Sequence, residues 1–435
     1  MLVRNGMVIG LAFWASAAWA EPVAFTGAVL HTGTGEVIEQ ATLVVEDGRI
    51  TAVGAEAPIP DGATTVDLQG KVVIPGLVDT HSHIAATGDL NEGSGPLQPA
   101  LSAIDALDAT SSGIQRAQAG GITTANVMPG SGNLMGGQTA YIKLRDANRI
   151  DELLLCEDRR TEVCGGMKMA NGTNSRRGGA YPGTRMASAR MQRELFLEAQ
   201  KALEKEAGDD KPQGKKKRGG SEEGASTPEP DPRLDPVKQI LRGERTVHFH
   251  THRADDVVTA MLMAEEFGFD VVLHHVSEAW KVADEIAHFQ APVSLILVDS
   301  PGGKEEAVEI KLENGALMQE AGVLVSLHTD DAITDSRLFL RSGGLAIRAG
   351  MSEQAALAAL TLNPAEQMDL DDRIGSLEAG KDADFVVLSG APFSVYTRVE
   401  QTWVDGTKVF DFDDPEDRRY ATGGWMVSDR YPGGE

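Results

Sequence analysis

The chain has 435 residues, of which 41% are hydrophobic and 24% charged, so its composition is globular rather than disordered or fibrous. Its formal net charge of −25 opposes an unaided approach to nucleic acid or to an anionic membrane surface. The only two cysteines, Cys156 and Cys164, are too few for a disulfide scaffold or a four-thiolate zinc site. In an oxidising compartment they would pair across a short loop, and two buried free thiols are the alternative.

Residues 1–20 have the features of a cleavable export signal. Arg4 precedes an apolar run over 7–15, and the small-residue stretch Ala18-Trp19-Ala20 follows it. The run is shorter than the roughly 20 residues that a spanning helix needs, which disfavours a membrane anchor. The sequence therefore predicts an exported, periplasmic protein that is free of the membrane after cleavage.

Short β-rich pieces separated by turn residues lie near both termini, in residues 21–75 and 376–412. Each segment contains an Asp-Gly pair of the kind that turns a β-hairpin. We expect the two segments to combine into one small sheet domain. The tail at 413–435 is acidic and Gly-rich and is predicted to be a solvated extension.

In residues 76–375, β-runs alternate with helical stretches. This alternation predicts a parallel sheet, and eight such units are the number that closes a (β/α)8 barrel; an open doubly wound sheet is the alternative. Residues 205–236 are rich in Gly, Pro and charge and predict a mobile insertion. The predicted strands are Leu77–His83, Ile122–Val127, Thr139–Leu144, Gly166–Ala170, Thr246–His252, Val271–Val276, Val293–Val298 and Val323–Asp330.

Most of the ten histidines fall at or near the C-terminal ends of these strands, the end at which the reactive groups of barrels gather. His81 and His83 are two residues apart, so they project from one face of their strand. His274 and His275 are adjacent, so regular alternation admits only one of them to the interior. Asp330 falls at the rim of the last strand. The convergence of several strand ends predicts a metal centre built from His and Asp.

The stretch GKVVIPGLVDTHSH at 70–83 resembles the entry to the barrel in the amidohydrolase superfamily. The resemblance continues through HTHRADD at 250–256, LHHVSEAWKVADEIA at 273–287, HTDD at 328–331 and TLNPAEQMDLDDRIGSLEAGKDADFVVL at 361–388. The nearest branch contains imidazolonepropionase and prolidase-like hydrolases. The resemblance implies an α/β fold, a (β/α)8 TIM-like barrel beside a small composite β-sandwich formed from both termini.

The resemblance also implies a set of metal ligands. His248 or His252 are alternatives to one member of that set, His250. Lys168 resembles a carboxylated lysine that bridges two metals in some relatives, so one or two ions are implied. Imidazole and carboxylate ligands suit Zn²⁺, with Fe, Mn or Ni as alternatives. The implied ligands are His81, His83, His250, His275 and Asp330.

The implied activity is hydrolysis of a C–N bond in a small-molecule amide, cyclic amide or dipeptide by metal-activated water, with Asp330 as general acid and base. A deaminase, or an esterase or lactonase, on the same scaffold is the first alternative. A non-catalytic exported binding protein is the second. Since relatives are often oligomeric, a homo-oligomer is also implied.

Three further residues near the strand ends are candidates for substrate binding. His252 and His328 either orient substrate and stabilise the reacting oxygen, or support the ligands by hydrogen bonds. Arg253 either binds a substrate carboxylate through its planar guanidinium or pairs with a neighbouring aspartate.

Overall fold

A computed structural model of the chain describes residues 21–86, 88, 90–209, 231–297 and 304–424. The predicted export signal and most of the predicted insertion lie outside these residues. Within them, no helix is both long enough and apolar enough to cross a membrane.

The described residues form strands and helices in both the terminal segments and the middle of the chain. The strands are β1 (Val23–His31), β2 (Val37–Glu46), β3 (Arg49–Gly54), β4 (Thr64–Asp67), β5 (Val72–Pro75), β6 (Leu77–Ser82), β7 (Ile122–Val127), β8 (Met135–Gln138), β9 (Ala140–Lys143), β10 (Met167–Ala170), β11 (Val247–Thr251), β12 (Val271–His275), β13 (Val293–Leu295), β14 (Val325–Leu327), β15 (Phe385–Leu388), β16 (Val399–Val404) and β17 (Thr407–Asp411). The α-helices are α1 (Ser112–Ala119), α2 (Arg185–Asp209), α3 (Asp235–Leu241), α4 (Ala254–Phe267), α5 (Ala283–Phe289), α6 (Asn314–Glu320), α7 (Phe339–Arg348), α8 (Glu353–Ala358), α9 (Leu362–Glu366) and α10 (Pro415–Thr422). Short 3₁₀ helices lie at Ala103–Ala106, Ile150–Glu152, Ala279–Lys281, Glu305–Ala307 and Ser336–Leu338.

Both termini contribute to one eight-stranded sheet, ordered β17-β16-β15-β5-β1-β2-β3 with β4 paired to β1. Strand β5 joins the two segments, because it pairs in parallel with β1 and antiparallel with β15. The aromatic rings of Phe25, Phe385 and Trp403 pack together with centroids 4.9 to 5.4 Å apart. The two ends of the chain therefore share one hydrophobic core.

Each of the eight β-runs predicted for the middle of the chain contains a strand, and these strands lie in two sheets. One sheet has the order β14-β13-β12-β11-β10-β8, and the other has the order β6-β7-β9. Strands β10 to β14 are parallel, and their short apolar runs are buried on both faces, as parallel strands require.

The prediction of a wholly parallel arrangement is wrong at the third predicted strand, since β9 runs antiparallel to β7. A parallel return needs a crossover of about a dozen or more residues, usually a helix. The connection from Val127 to Ala140 is taken up instead by β8, which pairs antiparallel with β10. The Gly-rich composition of this connection had masked the strand.

The two sheets approach each other at β6 and β14, the first and last of the eight predicted strands. The backbone nitrogen of Asp330 donates to the carbonyl oxygen of His81 at 2.9 Å. The buried carboxylate of Asp79 accepts from the backbone nitrogen of Thr329 at 3.1 Å and from its hydroxyl at 2.5 Å. These bonds fix the chain after β14 against the end of β6, where the predicted ligands lie.

Two predicted boundaries are wrong. Helix α2 continues to Asp209 and α3 begins at Asp235, so the inserted segment is shorter than 205–236. The tail after residue 412 is not wholly solvated, because α10 forms there and its Tyr420 is buried in a cluster with Ala119 and Phe410. The signal for α10 was present: an aspartate that caps the helix is followed by proline at the first helical position.

Cys156 and Cys164 form a disulfide, with Cα atoms 5.1 Å apart. Of the two states that the sequence allowed for these residues, the structure has the paired one. The bridge closes a short loop in the connection between β9 and β10.

A buried ion cluster, the Lys143 cluster, fastens β9 to the terminal sheet and consists of Lys143, Asp382, Asp384 and Asp405. The ammonium of Lys143 lies 2.6 Å from Asp382 Oδ2 and 3.1 Å from Asp384 Oδ2, and it also contacts Asp405. Burial alone would lower the pKa of Lys143, but the three carboxylates outweigh it and hold that pKa above its ordinary value. The lysine is therefore charged although its side chain is fully buried.

Candidate active site

A dense group of imidazoles lies where the ends of β6, β10, β11, β12 and β14 meet. Parallel strands deliver their carboxyl ends to one edge of the sheet, so residues distant in sequence converge there. Most of these side chains are buried, and only His83 and Asp330 are partly exposed, at 14% and 18%. The group comprises His81, His83, Lys168, His250, His252, His274, His275, His328 and Asp330.

The His81 group consists of His81, His83 and Asp330, which bring one candidate ligand atom each to within 4.8 Å of the others. His83 Nδ1 lies 2.9 Å from the carbonyl oxygen of Met128, which only accepts, so this nitrogen carries a proton. The other ring nitrogen lies 3.1 Å from Asp330 Oδ1. With a second proton on the ring, this nitrogen would donate to Asp330. In the neutral ring it would instead direct its lone pair to a cation shared with Asp330.

The carboxylate of Asp330 is ionised at neutral pH. Burial opposes its ionisation, but the hydrogen bond and charge of His83, with smaller contributions from His328 and Lys168, outweigh burial and hold the pKa of Asp330 below its ordinary value. Its Oδ1 also lies 3.5 Å from His81 Nε2. Asp330 is thus available as a ligand and as a proton acceptor.

The His250 group consists of His250, His252 and His275, whose candidate ligand atoms also lie within 4.8 Å of one another. The Nε2 atoms of all three are buried and, among the described residues, have no hydrogen-bond partner. Leaving three buried nitrogens unpaired is costly unless something occupies the space between them. Burial lowers the pKa of His252 to about 3 and the pKa values of the other two well below the ordinary value. The rings are therefore neutral, which is the form that binds a metal.

Two members of this group, His252 and His275, are anchored through their second nitrogens. His252 Nδ1 lies 2.8 Å from Ser277 Oγ, and His275 Nδ1 lies 3.1 Å from His328 Nε2. His328 is held in turn by Ser294 Oγ, 2.7 Å from its Nδ1. Such contacts orient ligand histidines and select their tautomer. The predicted support role fits His328, whereas His252 belongs to the His250 group itself.

Lys168 lies beside the His81 group. Its Nζ is 3.0 Å from His81 Nε2 and 3.0 Å from Met128 Sδ, and the side chain is fully buried. Burial lowers the pKa of Lys168 to about 7, with a smaller opposing effect of Asp330. A substantial fraction of the amine is therefore uncharged at neutral pH and available as a nucleophile.

Arg253 forms an ion pair at the rim, at the start of α4. Its guanidinium makes two hydrogen bonds with the carboxylate of Asp255, at 2.9 and 3.1 Å, and its side chain is 41% exposed. The pairing with a neighbouring aspartate is therefore observed, and substrate binding by Arg253 stays a prediction.

His274 is the residue that sequence reasoning misplaced. Regular alternation admits only one of His274 and His275 to the interior, yet the structure places both there. The backbone of His275 has φ +69° and that of Val276 has φ +36°, so the extended geometry ends at His275 and the alternation ends with it. His274 Nδ1 lies 3.2 Å from His81 Nδ1. Asp79 was also missed, although it stands two residues before His81 and shares its strand face.

Comparisons with known proteins agree with this architecture. The chain matches the model of the amidohydrolase family over residues 64–138 and 277–410. It is 34% identical to an amidohydrolase of known structure from Thermotoga maritima MSB8, with a TM-score of 0.81 over 89% of this chain and 100% of that one.

Two curated relatives match over different extents. Amidohydrolase tasK of Hapsidospora irregularis is 28% identical over 94% of this chain, but the chain spans only 43% of tasK. Imidazolonepropionase of Mycolicibacterium smegmatis is 44% identical over 63 residues, which are 14% of this chain and 16% of that enzyme.

The chain belongs to the amidohydrolase family. The resemblance read from the motifs around His81 and in residues 361–388 is therefore confirmed. The expectation of a hydrolytic enzyme is confirmed with it, at the level of the family.

Proposed function

We propose that the chain is a metal-dependent hydrolase that cleaves a C–N bond in a small-molecule amide, cyclic amide or dipeptide. The observation that carries this proposal is the set of three Nε2 atoms in the His250 group, next to the His81 group, that find no partner in the part of the chain that the structure describes. Together the two groups offer five imidazoles and one carboxylate. Nitrogen and oxygen ligands of this kind suit Zn²⁺, and Fe, Mn or Ni by geometry and supply.

Each group would hold one divalent cation, and Lys168, in its carboxylated form, would be a further ligand. Support for Lys168 comes from its buried, partly uncharged amine 3.0 Å from His81. Closure of the two middle sheets into one barrel around these residues is part of the same proposal, supported by the contact of β6 with the chain after β14.

When bound, a divalent cation would supply an activated water at neutral pH and a positive charge beside the scissile carbonyl group. Asp330 accepts a proton from the attacking water and returns it to the leaving nitrogen. His83, held through Nδ1 by the Met128 carbonyl, has its Nε2 beside the Asp330 carboxylate at the rim, so these two residues would hold the cation together. The anchored rings of His252 and His275 keep their positions as charge shifts during the reaction.

Purified protein is expected to contain two divalent ions per chain, and a chelator is expected to lower its melting temperature. A ligand that binds only the folded state at 100 times its Kd adds about 2.7 kcal/mol to stability. Elemental analysis and thermal unfolding, with chelator and then with added Zn²⁺, measure both quantities. The proposal would be contradicted if the purified protein contained no metal and neither chelator nor Zn²⁺ changed its melting temperature.

The activity itself is tested by a screen of dipeptides, N-acyl amino acids and cyclic amides, each with and without chelator. We expect turnover of one of these classes that chelator abolishes and Zn²⁺ restores. Release of ammonia from a ring substrate would identify a deaminase instead. Turnover confined to esters or lactones would identify an esterase or a lactonase. Metal-loaded protein that binds but turns over none of these compounds would indicate a binding protein.

Export to the periplasm is the remaining part of the proposal. It is supported by the disulfide between Cys156 and Cys164, because disulfides persist in oxidising compartments. Expression of the full chain in a Gram-negative host is expected to yield periplasmic protein whose N-terminal residue is Glu21, read by N-terminal sequencing. Protein that stays in the cytoplasmic fraction with residues 1–20 attached would contradict it.

A further inference from the structure

A row of buried polar side chains leads from the His81 group into the interior, away from the rim. His81 Nδ1 lies 3.2 Å from His274 Nδ1, and His274 Nε2 lies 2.9 Å from His248 Nδ1. His248 Nε2 lies 2.9 Å from the hydroxyl oxygen of Tyr141. We call His274, His248 and Tyr141 the relay row. His248 stands two residues before His250 on β11, so the row runs beneath the two candidate ligand groups.

Both nitrogens of each imidazole in the row are engaged, so the tautomer of one ring fixes the tautomer of the next. If His81 Nε2 directs its lone pair towards a cation, its Nδ1 carries the proton and donates to His274 Nδ1. His274 then carries its proton on Nε2 and donates to His248 Nδ1. His248 in turn donates from Nε2 to the Tyr141 hydroxyl oxygen. The position of the proton on His81 thus determines which nitrogen carries the proton in His274 and in His248, and it makes the Tyr141 oxygen a hydrogen-bond acceptor.

The packing around the row leaves little room for another arrangement. His274 and His248 are fully buried, and Tyr141 is 9% exposed. A Cβ atom at Gly166 would lie 2.3 Å from His248 Cδ2, so the absence of a side chain there makes space for the ring.

We infer that the relay row positions His81, so that Tyr141, three hydrogen bonds from the ring of His81, sets the affinity of the cation held by the His81 group. This inference rests on the proposed function. Ligand histidines usually donate their second N–H to a carboxylate, a backbone carbonyl or water. Here the acceptor is a series of two imidazoles that ends on a phenol. Tyr141 lies away from the rim, so it is a positioning residue and not a catalytic one.

The variant Tyr141→Phe removes only the terminal acceptor and leaves the ring in place. Loss of such a support typically weakens metal binding by about 10- to 100-fold. We expect this loss for one of the two ions, measured by competition with a chromophoric chelator using Zn²⁺. At saturating Zn²⁺, kcat is expected to stay near the wild-type value, because no group that contacts substrate changes.

Ser277→Ala is the matched control, because it removes the hydroxyl that holds His252 in the other group. Ser277→Ala is expected to weaken the binding of one ion, as Tyr141→Phe does. The double variant is then expected to bind both ions more weakly, since the two supporting residues act on different sites. A double variant that loses affinity at only one ion would overturn the assignment of Tyr141 to the His81 group.

A measurement on the wild-type protein keeps the inference testable if Tyr141→Phe folds poorly. Nitrogen-15 NMR of histidine-labelled, Zn²⁺-loaded protein is expected to show His274 and His248 protonated on Nε2. Protonation of either ring on Nδ1 would overturn the inference, as would wild-type affinity for both ions in Tyr141→Phe. If the wild-type protein binds no metal, the proposed function itself fails. If the wild-type protein binds two ions and Tyr141→Phe binds both with the same affinity as the wild type, the inference fails and the proposed function is unaffected.

Discussion

Replacing Asp330 with asparagine is expected to lower kcat/KM for the substrate found in the screen by about 10²- to 10⁴-fold, the usual contribution of a positioned general acid or base. Asparagine keeps the shape of the side chain but neither accepts the proton nor carries the charge. Because Asp330 also lies 3.1 Å from His83 Nε2, the variant is expected to bind metal more weakly as well. Steady-state kinetics over a range of Zn²⁺ concentrations separate the two effects, since only lost affinity is repaired by excess metal.

Asp255→Asn is the control for this experiment. Asp255 is also a carboxylate near the rim, but it is exposed and paired with Arg253. We expect its kcat/KM to remain within about twofold of the wild-type value, because no reacting group contacts it. Undiminished turnover of Asp330→Asn at saturating metal would remove Asp330 from the mechanism.

Replacing Lys143 with methionine is expected to lower the free energy of unfolding by about 3 to 5 kcal/mol, because it leaves buried carboxylates without their cation. In the Lys143 cluster, Asp382 and Asp384 are both buried within 3.1 Å of the ammonium. Methionine fills much the same volume but pairs with neither of them. Urea unfolding followed by far-UV circular dichroism measures the loss.

Lys408→Met provides the comparison, since Lys408 pairs with Asp411 at the surface, with 38% of the lysine side chain exposed. Exposed pairs contribute roughly 0 to 1 kcal/mol, so this variant should unfold close to the wild-type midpoint. Equal losses of unfolding free energy in the two lysine variants would mean that the buried Lys143 cluster stabilises the fold no more than an exposed ion pair does.

Two rules predict that the side chains at the strand ends converge, whereas the choice of individual ligands came from the family resemblance. Side chains two apart share a strand face, which places His81 with His83, and parallel strands present their carboxyl ends together, which adds His250 and Asp330. The alternation rule holds only while the backbone stays extended. The rule failed at His275, because the positive φ of this residue ends the extended geometry and the rings of His274 and His275 both lie in the interior.

Other features depend on contacts between distant segments that no local pattern encodes. Tyr141 looked like an ordinary strand residue, and only the tertiary fold brings its hydroxyl to His248. The antiparallel direction of β9 was also not predictable, because the Gly-rich connection between β7 and β9 has the composition of a loop although it contains β8. Arg253 had two chemically reasonable partners, and the structure shows the pairing with Asp255.

The pairing of β5 with both β1 and β15 has a consequence for biosynthesis. Pro75 pairs with Phe385, so this edge of β5 stays open until β15, about 300 residues further along the chain, has been made. Contacts between such distant positions form slowly, and unpaired edges invite association with other chains. Truncation before β15 would therefore leave a product with an exposed strand edge that is prone to aggregate.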